Sequence, residues 1–261
     1  MSELARDVPV RRLRVIGIGV GDLNQLTIEA IEAIRSVDVF LVVDKGDARA
    51  DLAAFRRAVL RQYGTTRPWR TIEIDDPERD RGLPYEDGVR AWHRARTDAW
   101  ERVLLTSLGP DETGGILVWG DPSLYDSTLR IIDDVTARGE VRVEHDVVPG
   151  ISSMQLLAAR HRIALNRIGR PVHITTGRHL RDGLPAGVDD AVVMLDGTES
   201  FTGLVGQGFE IFWGADLGGA DEVLVSGLLD DVADDIVAAR GAIRSRKGWV
   251  FDVYLVRRRS D

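Results

Sequence analysis

The 261-residue chain has no cysteine, which excludes disulfides, thiolate metal sites and a cysteine nucleophile. Its five histidines (His93, His145, His161, His173 and His179) show no metal-ligand pairing such as HExxH, so each reads as structural or superficial. No apolar run reaches membrane-spanning length, and the opening "MSELARDVPVRR" lacks the apolar centre of a signal peptide. The expectation is a soluble, cytoplasmic protein. Basic residues do not prevail either: 34 lysines and arginines face 42 acids, for a net charge of −8. That balance weighs against non-specific nucleic-acid binding while leaving room for a local basic cleft. Neither an internal repeat nor a low-complexity segment interrupts the chain.

What is present is an ordinary globular mixture, 44% hydrophobic and 29% charged, long enough for one large or two modest domains. Strand-like runs at Arg14–Val20, Val37–Val43, Arg70–Ile74, Gly115–Trp119 and Val141–Val147 alternate with helical patterns. The helices are expected at Leu26–Arg35, Ala48–Tyr63, Asp87–Ser107, Leu124–Ala137 and Ser152–Arg160. Alternation of this kind predicts a largely parallel sheet with helices on both faces. The segment "RIALNRIGRP" reads as a link into a second half that is denser in strands ("VHITTG", "DAVVMLDG", "FEIFWGA", "DEVLVSG", "WVFDVYLV"), with one clear helix at Asp231–Ala242. The expected organisation is a short tail (1–12), an amino-terminal α/β domain (13–168) and a carboxy-terminal α/β domain (169–261), with the boundary near Ile168.

Ligands of such sheets gather beyond the carboxyl ends of the strands, so the loops there carry the functional signal. The first, "RVIGIGVGDLNQLT", suits three owners. A dinucleotide fold would use Gly17, Gly19 and Gly21 with Asp44 at the end of strand two, but its third glycine belongs one place later and the helix starts late. A nucleotide-type methyltransferase fold also pairs a glycine loop with such an acid. A plain tight turn is the third reading. In the second loop, "GILVWGDPSLYDST", Gly120 permits close backbone approach and Pro122 sets the turn; Asp121 can bond a ligand or merely hold the turn. The third, "VVPGISSMQLLAA", offers Ser152 and Ser153 as helix caps or ligand contacts.

Taken together and in this order, the three loops resemble the tetrapyrrole (corrin and porphyrin) methylases. That family runs from a GxGPGD-type loop followed by LT, through GDP with an aromatic, to a VVPGIS-type loop. Val20 stands where the family usually has proline. "VVDKG", "GDPSLYDST", "VVMLDG" and "FWGADLGGADEVLVSG" are most similar to the branch that methylates C-1 of precorrin-5 in the aerobic cobalamin route and releases acetate. The resemblance implies two α/β domains, the first with a mostly parallel sheet and the second with a mixed one, and an active site in the cleft between them. It implies S-adenosyl-L-methionine as methyl donor, S-adenosyl-L-homocysteine as product, a tetrapyrrole substrate, no metal and a homodimer.

Carried over position by position, the cofactor residues are Trp119, Gly120, Asp121, Leu124, Ser152, Ser153, Met194, Gly214 and Ala215. Apart from the resemblance, Met194 reads as core packing and Gly214 as a strand-end glycine. Asp44 matches a proton acceptor of related methylases, and a carboxylate in a partly dry cleft can be raised towards a useful range; the plain alternative is a solvated turn acid. Lys45 would donate a proton or clamp a carboxylate. Gly19, Gly21 and Asp22 would face the tetrapyrrole, and Arg178, His179 and Arg181 would meet its acetate and propionate arms, or else form an exposed polar turn. Competing functions are methylation of another ring carbon or of ribosomal RNA (which the acidic total disfavours), a non-catalytic cofactor-binding regulator, and a nicotinamide enzyme.

Overall fold

The computed structural model describes residues 8–44, 50–64, 67–78, 80 and 82–259. Two compact units emerge. Residues 8–19 and 23–151 make the first; Val20–Asp22 and residues 152–259 make the second. Helix α5 (Ser153–His161) goes with the second unit, packing on strands of its sheet.

In the first unit, β1 (Val10–Gly17), β2 (Val39–Asp44), β3 (Arg70–Asp75), β4 (Thr113–Val118) and β5 (Arg142–Val148) form a wholly parallel sheet in the order β3-β2-β4-β1-β5. Helices α1 (Ile28–Arg35), α2 (Ala50–Tyr63), α3 (Tyr85–Thr106) and α4 (Thr128–Arg138) cover it. Strand periodicity sorts the side chains. Leu13, Val15, Val39 and Leu41 meet Trp100 and Leu104 of α3 and Ile131 and Val135 of α4. Ile16 and Phe40 turn the other way, onto Ala30 and Ile34 of α1 and Val59 and Leu60 of α2. Burial on both faces explains why β2 and β4 read as near-continuous apolar runs, unlike the exposed edge strands β3 and β5.

Three boundaries differ from the sequence expectation for clear physical reasons. β1 starts at Val10, because "VRRLR" pairs with Arg142–Asp146 of β5 and Arg11 is buried with its Nε donating to the Leu104 carbonyl at 2.8 Å. It ends at Gly17 because Gly19 turns into the left-handed region at φ +73°. Helix α4 begins at Thr128 rather than Leu124, the intervening residues being taken up by the turn after Asp121.

The second unit has a mixed sheet, β6-β7-β10-β8-β9, from β6 (His173–Thr176), β7 (Asp190–Met194), β8 (Phe209–Ala215), β9 (Val223–Leu228) and β10 (Asp252–Arg258). β6 and β7 run parallel and the other pairs antiparallel. The long helix α7 (Leu229–Lys247) buries Leu229, Ala233, Ile236 and Ile243 against Val193, Ile211, Trp213 and Tyr254. A four-residue helix, α6 (Gly177–Leu180), and a 3-10 turn (Ser200–Leu204) were not foreseen, being too short to show a period. No helix among the described residues is long and apolar enough to cross a membrane.

Candidate active site

The three strand-end loops converge within the first unit because β4, β1 and β5 are adjacent and parallel. The backbones meet at glycines. Gly19 and Gly120, both with positive φ, exchange hydrogen bonds: Gly120 N donates to Gly19 O at 2.8 Å and Gly19 N to Gly120 O at 3.3 Å. A Cβ on Gly17 would stand 2.5 Å from Gly150 N, and one on Gly150 would collide with the Gly120 carbonyl. These glycines are there so that three chains can touch.

That geometry decides among the owners of the first loop. Ile18 N donates to Val118 O at 3.0 Å and Gly19 N is spent on Gly120, so two of the loop's amides are committed to strand β4 and its loop. A pyrophosphate cradle needs its amides aimed outward at a helix start, and α1 begins only at Ile28. The arrangement is a backbone lock rather than a dinucleotide loop.

Asp121 binds the lock together. One carboxylate oxygen accepts from the Ser123 amide at 2.8 Å and from the Ser123 hydroxyl; the other accepts from Gly150 N at 2.9 Å. Burial works to raise its pKa, but the Ser123 hydroxyl and the Gly150 and Ser123 amides outweigh it and hold the carboxyl below its ordinary value. Beside it, Trp119 is half-buried with its ring edge-on to Phe55 at 5.3 Å, and Leu124 is half-buried in the same turn. Tyr125 follows, exposed and at φ +51°, a strained conformation for a non-glycine residue.

In the second unit, Ser152 caps α5. Its hydroxyl accepts from Gln155 N at 3.4 Å while Gln155 Oε1 accepts from Ser152 N at 2.9 Å, a complete capping box. Ser153 is the buried first residue of the helix. Met194 and Gly214 share a row: both are in register with Val253 of β10, one on each side, on the sheet face opposite α7. Gly214 leaves room for α5, since a Cβ there would lie 2.9 Å from a Leu157 methyl and 2.7 Å from one of Leu217. Ala215 is fully buried beside it. The residues after both strand ends, Leu195 and Asp216, take positive φ (+54° and +50°), and Leu195 is 57% exposed.

Of the expected substrate residues, Gly19 belongs to the lock, and Gly21 (φ +130°) packs in the second unit with its α-carbon facing Leu217 O and Gly219 N. Asp22 is half-buried. Arg178, His179 and Arg181 lie exposed on and just after α6. Asp44 ends β2 in register with Asp75; its side chain, and Lys45 altogether, lie outside the described residues. Two of the histidines have visible partners: His161 Nε2 sits 3.0 Å from Trp213 O, and His93 Nε2 lies 2.9 Å from Arg130. No cluster of three or more potential metal ligands occurs among the described residues.

Sequence reasoning missed a buried polar network in the second unit. Asp196, two residues after Met194, accepts from Ser200 N (2.7 Å), Thr198 N (3.0 Å) and Tyr254 OH (2.7 Å). Arg240, 1% exposed, donates to the Asp196 carbonyl at 2.7 Å and pairs with Asp252, which also accepts from Trp213 Nε1 at 2.8 Å. Burial, opposed by Arg240 and Trp213, pushes Asp252 up to about 6; burial and the Asp196 charge push Tyr254 far up. The available signal was Arg240 on the apolar stripe Leu229–Ala233–Ile236–Ile243 of α7.

Comparison with known proteins adds what geometry cannot. The pattern of the tetrapyrrole (corrin/porphyrin) methylases matches residues 12–233. The chain is 44% identical over 253 residues, 97% of each protein, to a Sinorhizobium protein named precorrin-6A synthase [deacetylating]. A crystal structure from Corynebacterium diphtheriae, described as related to cobalamin synthesis (CobF), superposes with a TM-score of 0.81 at 33% identity, covering 95% of this chain and 98% of that one. A uroporphyrin-III C-methyltransferase from Thermus thermophilus, complexed with S-adenosyl homocysteine, shares the fold at a TM-score of 0.58 and 19% identity, over 94% of this chain and 96% of that one. With both sheets and all three strand-end loops in place, the chain belongs to the tetrapyrrole (corrin/porphyrin) methylase family.

Proposed function

We propose that the protein is an S-adenosylmethionine-dependent C-methyltransferase of cobalamin biosynthesis, which methylates precorrin-5 at C-1 and releases acetate to give precorrin-6A. The observation that carries this reading is the 44% identity spanning 97% of both chains with precorrin-6A synthase [deacetylating]. Physical support comes from the loops: amides locked to other backbone do not suit a pyrophosphate, whereas the half-buried Trp119 and Leu124 at the end of β4 suit the apolar faces of an adenosyl group.

S-adenosylmethionine supplies an electrophilic methyl group that needs no metal. The protein's task is alignment of donor and acceptor carbon, worth roughly 7–11 kcal/mol where geometry is productive. In this proposal Trp119, Gly120, Asp121 and Leu124 of the first unit and Ser152, Ser153, Met194, Gly214 and Ala215 of the second hold the cofactor. Asp121 and Ser152 act through the backbone they fix, since their side-chain oxygens already bond Ser123, Gly150 and Gln155. Asp44 takes the proton, Lys45 donates one or clamps a carboxylate, and Gly19, Gly21, Asp22, Arg178, His179 and Arg181 meet the tetrapyrrole. A cytoplasmic homodimer is the proposed working state, which light scattering on the purified protein measures directly.

Calorimetry in the presence of a chelator tests the cofactor. S-adenosylhomocysteine should bind and NAD should not. Heat from NAD with no response to S-adenosylhomocysteine contradicts the reading.

A further inference from the structure

The parallel sheet of the first unit comes apart between β2 and β4. Their pairing stops after Val39↔Gly114 and Phe40↔Gly115, whereas β1 stays with β4 as far as Gly17↔Val118 and β2 stays with β3 to its last residue. These are also the neighbouring strands whose chains leave in opposite directions, β2 through α2 to the outer β3 and β4 through α4 to β5 beyond β1. Crevices at such a switch point are where open α/β sheets take ligands.

A cavity of about 40 Å³ fills the gap, reached by side chains from both sheet faces: Phe40 and Leu60 from one, Trp100 and Ile116 from the other. It has room for about three water-sized groups. Apolar residues make most of its wall, but two guanidinium groups reach it. Arg56 of α2 donates its Nε to the Leu117 carbonyl at 3.0 Å, supplying the backbone partner that β2 no longer provides. Arg96 of α3, whose side chain is 6% exposed, lies over the Trp92 ring and donates to Ser127 Oγ at 3.0 Å. Its Nε stands 2.8 Å from Asp76 Oδ1, but the two are not aligned for a hydrogen bond, so both count as buried polar atoms without one. Asp126, the acid on the rim, already accepts from Thr128 N at 2.7 Å.

Arg96 keeps its ion pair with Asp76, yet both guanidinium groups also line the cavity, and such planar groups match a carboxylate's two oxygens. We propose that this cavity is a carboxylate subsite that receives an acidic side arm of the tetrapyrrole substrate, held by Arg56 and Arg96 at the parted ends of β2 and β4. This rests on the proposed function for the identity of the arm, and on the cavity alone for the chemistry. A free small carboxylate such as released acetate presents the same group, so the test separates the two.

Wild-type protein is titrated calorimetrically with propionate, propionamide, acetate, the octacarboxylate uroporphyrin and its octamethyl ester. Propionate and uroporphyrin should bind, the amide and the ester should not, and uroporphyrin should displace propionate. Arg56→Gln should weaken both acids by roughly tenfold to a hundredfold, the worth of one charge-assisted hydrogen bond, and Arg56→Lys should restore part of it. Equal binding of propionate and propionamide, no saturable propionate binding, or unchanged affinity in a folded Arg56→Gln protein overturns the subsite. Acetate binding that uroporphyrin leaves untouched overturns the side-arm assignment in favour of a free-ion site. Should propionate bind as described while no methyl transfer to any tetrapyrrole occurs, the subsite stands and the proposed function falls.

Discussion

At the scale of single residues, two aspartates carry different burdens. Asp121 joins two loops through one carboxylate, so Asp121→Ala leaves Gly150 N without its side-chain partner and releases the turn at Ser123. The expected cost is roughly 1–3 kcal/mol of stability, with weaker S-adenosylhomocysteine binding as the loops relax. Urea midpoints and calorimetry on the same preparation measure both; an unchanged midpoint contradicts the bridging role. Asp44 is proposed to act on protons alone. Asp44→Asn should lower turnover roughly 10²–10⁴-fold while cofactor affinity stays put. A fall in affinity together with rate would instead mark Asp44 as a ribose ligand.

Asp252 behaves in the opposite sense to Asp121. Its folded pKa is raised from 3.8 to about 6, so the native state holds a proton that the unfolded chain has already lost. Its contribution to stability is therefore full below about pH 4 and is lost as pH rises through about 6. Unfolding measured at pH 4.5, 5.5 and 7 should show this slope, and Asp252→Asn should flatten it. A slope that survives the substitution assigns the effect to other groups.

Among the elements, the backbone lock makes the sharpest demand. A methyl group on Gly17 meets the Gly150 amide at 2.5 Å, main chain that has no rotamer by which to yield. Gly17→Ala should cost about 1–3 kcal/mol or more, whereas Gly241→Ala, inside helix α7 with open space around its α-carbon, should cost nothing. Thermal melts of the two variants compare them directly, and equal losses contradict the lock. Such demands explain what could be read in advance. Gly17, Gly120 and Gly150 are visible in the sequence because each sits at a strand end, and the "SSMQ" capping box announces α5. Arg11 hid the start of β1 because buried arginines look like surface ones until their acceptor, here the Leu104 carbonyl, is known. Asp196 and Asp252 were unreadable for the same reason, each an ordinary polar residue whose partners lie elsewhere in the chain; only Arg240, on the apolar stripe of α7, gave a signal.

For the molecule as a whole, the parallel sheet was legible from the order of strands and helices, since period and turn chemistry act locally, while the mixed sheet was expected only from the family resemblance. The parted strands behind the Arg56–Arg96 cavity were not, because register beyond Phe40 is set by packing rather than by any pattern along β2. The central proposal is a single reaction, in which one methyl group enters a tetrapyrrole as one acetate leaves. Incubation with precorrin-5 and methyl-labelled S-adenosylmethionine, read by product mass and acetate assay, addresses it most directly. The expected result is a labelled corrin with acetate released in equal amount; unlabelled precorrin-5 recovered intact, or label transferred without acetate, contradicts it.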